Sequence, residues 1–135
     1  MKRFLLFCVI GAILFSASLV SPSCGSGRAQ GPDTLKINTT GLGADVIGYN
    51  GPTPVEISVY KGVITQIEVL PNREGPRYMQ MVLESGLVDK LKGKTLEEAG
   101  TIQLDAVSGA TFTSNALIKN IRLGLEEAAN PSPKK

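Results

Sequence analysis

The chain is 135 residues long, room for one small domain, and at 42% hydrophobic and 19% charged residues it has enough apolar material for a packed core. It contains no His, which removes the usual general base, the Ser-His and Cys-His nucleophile pairs and the commonest metal ligand together. The net charge of +2 is matched by Lys2 and Arg3, so the remainder is neutral and has no basic stripe for nucleic acid.

The first stretch, "MKRFLLFCVIGAILFSASLV", has a basic start followed by an uncharged run over residues 4–20. That is the layout of an export signal, and its length also reaches the lower limit of about 17 residues for a spanning helix. Residues 1–23 are therefore read as an export signal or a retained membrane anchor. Positive charges at the very start stay on the cytoplasmic side, which puts the rest of the chain outside the cytoplasm, tethered or secreted. Cys8 lies within the apolar run. Cys24 opens a Gly/Ser-rich linker over 24–33 and is either incidental or a lipidation site after cleavage. Two such cysteines make no disulfide framework and no zinc site.

The folded domain is expected over 34–130. "DVIGYNGPTP" reads as a short strand and then a Gly/Pro turn. In "VEISVYKGVITQIEVL", Val55, Ile57 and Val59 alternate with polar residues, Lys61-Gly62 makes a turn, and a second apolar run holds Ile64, Ile67 and Val69. This predicts a β-hairpin with one buried face. The period then changes. Met79, Val82 and Leu83 fall at helical spacing after Pro76, with Gly86 breaking the run, and Thr95 with Glu98 has capping-box register. "TIQLDAVSGA" resembles a strand entering a turn. Ala116, Leu117, Ile121, Leu125 and Ala128 then form the apolar stripe of a terminal amphipathic helix, and 131–135 is a tail. These elements give an α+β fold, a small and mostly antiparallel sheet with a hairpin, packed with helices.

The stretch "DAVSGATFTS" at the entry to the last helix concentrates the chemistry. Gly109 suits a positive φ or a close approach to the backbone. Ser108, Thr111, Thr113 and Ser114 surround a helix start whose first amides lack internal partners and favour an anion. Hydroxyls here serve either as helix caps, for which Thr113 and Ser114 are the candidates, or as a phosphate cradle. Asp105 fits a plain phosphate cradle poorly, since it repels an anion unless a cation intervenes. An acid, a small-residue turn and a protruding Thr look more like a substrate for another enzyme.

This stretch resembles the signature of FMN-binding domains such as the C subunit of the sodium-pumping NADH:quinone oxidoreductase and the G subunit of its Rnf relatives. Their pattern of Asp, two variable positions, Ser or Thr, Gly, Ala and Ser or Thr is matched by Asp105, Ser108, Gly109, Ala110 and Thr111 without a gap. In that family a flavin transferase uses FAD and magnesium to attach FMN, through its phosphate, to the final Thr. The resemblance implies Thr111 as the attachment residue, Asp105 as serving the transferase, and Ser108 to Ala110 as shaping the turn. Upstream, "GYNGPTPVEISVYKGVITQIEVLPNRE" resembles the Gly-rich entry and hairpin of the same family, so the likeness covers residues 45–128. Where the family continues Glu-Thr, often with Pro, this chain has Glu74-Gly75-Pro76. Glu74 is carried over as a cofactor-site residue, with a solvated loop acid as the alternative. Gly48 and Gly51 either bring backbone close to a flavin or simply make a turn. Tyr49, Tyr60, Tyr78 and Phe112 are suited to pack on an isoalloxazine ring, Phe112 foremost because it adjoins Thr111.

The resemblance implies an extracytoplasmic electron carrier or redox-complex subunit, on the periplasmic side, rather than a self-sufficient enzyme. Its cofactor would be FMN, with no metal of its own. Its partners would be a flavin transferase, a membrane redox complex or other electron donor and acceptor, and the membrane through the N-terminus. Two alternatives remain open: a non-covalent FMN-binding module, and an interaction domain without cofactor whose turn is only a helix cap.

Overall fold

The hairpin forms where the alternation predicts it. In the computed structural model, which describes residues 33–133, strands β2 (Val55–Tyr60) and β3 (Val63–Val69) pair antiparallel. Lys61 and Gly62 between them have φ of 49° and 78°. Two successive positive φ values match the right-handed twist of the strands, which is why this short loop closes the hairpin. Ile64 and Ile67 are three residues apart, yet both are buried. A break in register between Ser58 and Val59 makes this possible, because Thr65 is an extra residue in β3 that inverts the alternation. The Thr65 hydroxyl donates to the Ser58 carbonyl at 3.1 Å within this bulge.

A third strand, β1 (Thr34–Asn38), pairs antiparallel with β2, with Ile37 opposite Ile57, so the sheet order is β1-β2-β3. The strand expected within "DVIGYNGPTP" reduces to a single bridge between Ile47 and Pro52. The strand expected from "TIQLDAVSGA" does not form. Its start closes a helix, its middle has no strand pairing and its end makes a turn. The first half of the outer β3 edge is already occupied, since Ile64 donates to the Lys94 carbonyl and accepts from the Gly93 amide, both at 2.8 Å.

Helix α1 (Pro76–Glu84) starts with Pro at its first turn, and Gly86, at φ 73°, follows its end. A short 3₁₀ turn, Asp89–Leu91, buries Leu91. Helix α2 (Leu96–Thr101) has the predicted capping box, Thr95 and Glu98 each accepting the other's amide hydrogen. The Thr95 amide also holds the Glu98 carboxyl below its usual range. Helix α3 (Thr111–Ala129) crosses the buried face of the sheet with Leu117, Ile121 and Leu125 inward. Gly124 lets it sit close, because a Cβ there would lie 2.7 Å from Ile57 Cδ1 and 2.9 Å from Thr39 Cγ2. Arg122 ties α3 to α2 by donating to the carbonyls of Gly100 and Ile102, each at 3.0 Å. Among the described residues no helix is long and apolar enough to cross a membrane. The signal or anchor over 1–23, and Cys8 and Cys24, lie outside them.

Candidate functional site

The start of α3 is set by a tight turn. The Ala110 amide donates to the Val107 carbonyl at 3.0 Å, and Gly109 in the third position has φ 84°. A positive φ at that position is what a type II turn requires, and it selects Gly. A Cβ at Gly109 would also come within 3.0 Å of Met81 Cε. Ser114 staples the turn to the helix: its hydroxyl accepts from the Val107 amide at 3.0 Å and donates to the Ala110 carbonyl at 2.8 Å.

Thr113 and Ser114 are therefore not caps, contrary to the capping alternative. They lie inside the helix, both buried, with their hydroxyls engaged elsewhere. The cap residue is Ala110, which offers no side-chain acceptor. The amides of Thr111, Phe112 and Thr113 have no hydrogen-bond partner among the described residues. Three free N–H groups at a helix start favour an anion, reinforced by the helix dipole.

Glu74 is buried at 6% exposure, so the reading of it as a solvated loop acid fails. Its carboxylate accepts from the amides of Tyr49 (3.2 Å), Asn50 (2.7 Å) and Gly51 (3.1 Å), and from the Thr113 hydroxyl. Burial pushes its pKa up, but the hydrogen bonds from Thr113, Asn50, Tyr49 and Gly51 together outweigh it and leave the carboxyl below its ordinary value. This clamp joins the 48–51 turn to the first turn of α3. It also explains Gly48, where a Cβ would stand 2.8 Å from Glu74 Oε1. The close approach that Gly48 permits is to this carboxylate.

Above the clamp, Tyr49 and Tyr78 meet with ring centroids 5.9 Å apart and planes inclined at 50°. The departure at Gly75 belongs to this contact, because a Cβ at 75 would press to 3.0 Å from Tyr78 Cδ2. The two tyrosines line a cleft of ≈ 130 Å³ with Gly109, Thr111 and Phe112. Phe112, 69% exposed, is also a wall of a second cleft of ≈ 390 Å³ along the outer side of α3.

The predicted residues thus fall into distinct places. Gly109, Ala110, Thr111, Phe112 and Thr113 line the first cleft. Glu74 and Ser114 brace it from below. Ser108, at the exposed crown of the turn, and Asp105, exposed on the segment before it, line neither cleft. Asp105 has no hydrogen bond or ion pair among the described residues. Tyr60 stands apart at the hairpin end, its ring 5.3 Å from Lys61 Nζ. Sequence reasoning missed Asn120, fully buried in the α3 stripe against Gly43, where a Cβ would fall 1.7 Å from its Oδ1. A lone Asn between Leu117 and Ile121 is the signal that was available.

An exposed Thr at a helix start with free amides, beside exposed aromatic faces, has the chemistry to take a phosphate-bearing ligand. The model of the FMN-binding domain family matches residues 48–126, from the Glu74-bound turn to the last turn of α3. The chain belongs to the FMN-binding domain family and is a flavoprotein whose cofactor is FMN. No curated protein matches the chain.

Proposed function

We propose that this chain is an extracytoplasmic electron-transfer protein of the kind represented by the C subunit of the sodium-pumping NADH:quinone oxidoreductase, with FMN attached as a phosphoester to Thr111. The observation that carries this is the state of the hydroxyls between 108 and 114. Thr113 and Ser114 are buried and hydrogen-bonded, and Ser108 is exposed but outside the cleft. Thr111 alone of the four is both exposed and cleft-lining.

In the attachment step a flavin transferase acts on FAD. Thr111 Oγ1 loses its proton and forms the new bond to phosphorus, the pyrophosphate bond breaks, and AMP leaves. Asp105, exposed and unpaired among the described residues, is free to approach the transferase's magnesium. The small side chains of Gly109 and Ala110 let a second active site close over the turn. Once attached, the phosphate is neighboured by the free amides of Thr111, Phe112 and Thr113. When bound, FMN supplies electron transfer in single or paired steps at its ring, and the protein sets its orientation and exposure. Exchange with a membrane redox complex is the role that suits a carrier held outside the cytoplasm, where a dissociated cofactor is not replaced. The basic start and the uncharged run over 4–20 support that location.

The test is the intact mass of the exported chain after co-expression with a flavin transferase, with flavin fluorescence in a denaturing gel. The expected result is a gain of one FMN less one water on the Thr111 peptide, and no gain for Thr111→Ala. A Thr111→Ala chain that keeps flavin through denaturation overturns the assignment. Flavin that stays in the supernatant after acid precipitation shows a non-covalent binder instead.

A further inference from the structure

The ≈ 130 Å³ cleft at Thr111 is below the range of about 300–1,000 Å³ typical of pockets that enclose a small molecule, whereas the cleft beyond Phe112, at ≈ 390 Å³, is within it. The two differ in chemistry as well. The smaller offers aromatic faces and no charged group. The larger is lined by apolar Val46, Ile47 and the buried Ala116, by the Phe112 ring, and by three polar side chains: Asp45, Asn115 and Lys119. None of the three has a hydrogen bond or ion pair among the described residues, and Asp45 and Lys119 do not pair with each other. An anion, an amide and a cation facing one cleft without contact leave room for a ligand that carries both donor and acceptor groups.

Thr111, Asn115 and Lys119 follow at intervals of four residues along one face of α3. Lys119 is thus about 12 Å along the axis from Thr111. FMN attached at Thr111 has a five-carbon ribityl chain between phosphate and ring, which lets the ring lie one to two helical turns from the attachment. The pyrimidine edge of the ring presents one N–H donor flanked by two carbonyl acceptors, a set that a carboxylate, an amide and an ammonium together complement.

Resting on the attachment at Thr111, we infer that the flavin ring occupies the larger cleft beyond Phe112, with Lys119 and Asp45 setting its reduction potential in opposite directions. Reduction of the ring by two electrons and one proton leaves a negative charge over N1 and the adjoining carbonyl. An ammonium nearby stabilises that charge and a carboxylate opposes it.

The test is a dithionite titration of the covalently loaded chain against reference dyes, at low and high salt, for wild type, Lys119→Gln and Asp45→Asn. The expected result is a fall of roughly tenfold in the reduction equilibrium for Lys119→Gln, about 30 mV for a two-electron couple, and a comparable rise for Asp45→Asn. Both shifts should shrink in high salt, because both side chains are exposed. Potentials that ignore both substitutions, or move the same way for both, overturn the placement of the ring. An unmodified wild-type mass overturns the attachment instead, so the two failures are read separately.

Discussion

Glu74 is buried and accepts four hydrogen bonds, from three successive amides of the 49–51 turn and from Thr113, whereas Asp105, before the same helix, is exposed and accepts none among the described residues. One carboxylate fixes three chain segments to each other. The other is open to solvent. On the proposed attachment at Thr111, the difference separates two tasks: holding the shape of the site, and presenting a hydroxyl to a transferase. Substitutions in the clamp should therefore lower stability while attachment survives, and substitutions on the presenting side should stop attachment while stability survives.

The largest effect expected on the presenting side, short of removing Thr111 itself, is from Asp105→Asn. Loading by the transferase should slow by about 10–100-fold, the scale of losing a group that supports a metal site. The melting temperature should not move. A coincident fall in melting temperature would show that Asp105 belongs to the fold, and the comparison would break.

On the clamp side, Glu74→Gln puts an amide donor among four donors. It should cost about 1.5–3 kcal/mol, the worth of hydrogen bonds to a charged group. Thermal unfolding of the unmodified chain should show a drop on the order of 10 °C. Acid should act on the same contact. The folded-state pKa of Glu74 is below its ordinary value of 4.5, so its contribution is complete above that pH and is lost as pH falls through the lower folded value. The stability gap between wild type and Glu74→Gln should be flat above pH 4.5 and narrow below it. A gap that narrows at neutral pH would contradict the clamp.

Gly109→Ala touches both sides at once. The positive φ costs about 1–2 kcal/mol for any residue with a Cβ, and the new methyl presses on Met81. Stability should fall by that smaller amount, and loading should fall with it, because the turn that displays Thr111 is the one strained. Unchanged loading in a destabilised Gly109→Ala would mean the transferase does not read the turn.

Much of this was legible in the chain because periodicity reports burial. The β2–β3 hairpin and α3 follow from it directly, and the capping box of α2 from local chemistry. Strand β1 was not legible. Its five residues alternate polar and apolar but make too short a run to stand out, and only Ile37 of its two apolar residues is buried, Leu35 being 44% exposed. The segment at 102–107 has strand-like composition but finds no strand partner, since pairing is a property of the sheet and the near half of the β3 edge is taken. The turn with Gly109 and Thr111 could be read from ten consecutive residues. The burial of Glu74 could not, because its partners are 23–39 residues away.

That same contrast in distance has a consequence for how the site is inherited. The hydrogen bonds that shape the turn before α3 join residues three, four and seven apart, all between Val107 and Ser114. The instruction for displaying Thr111 is thus a contiguous word of eight residues, transferable in one piece ahead of another helix. The clamp beneath it is dispersed text, and a recombination event that cuts between Glu74 and Thr113 would carry the word away and leave its support behind.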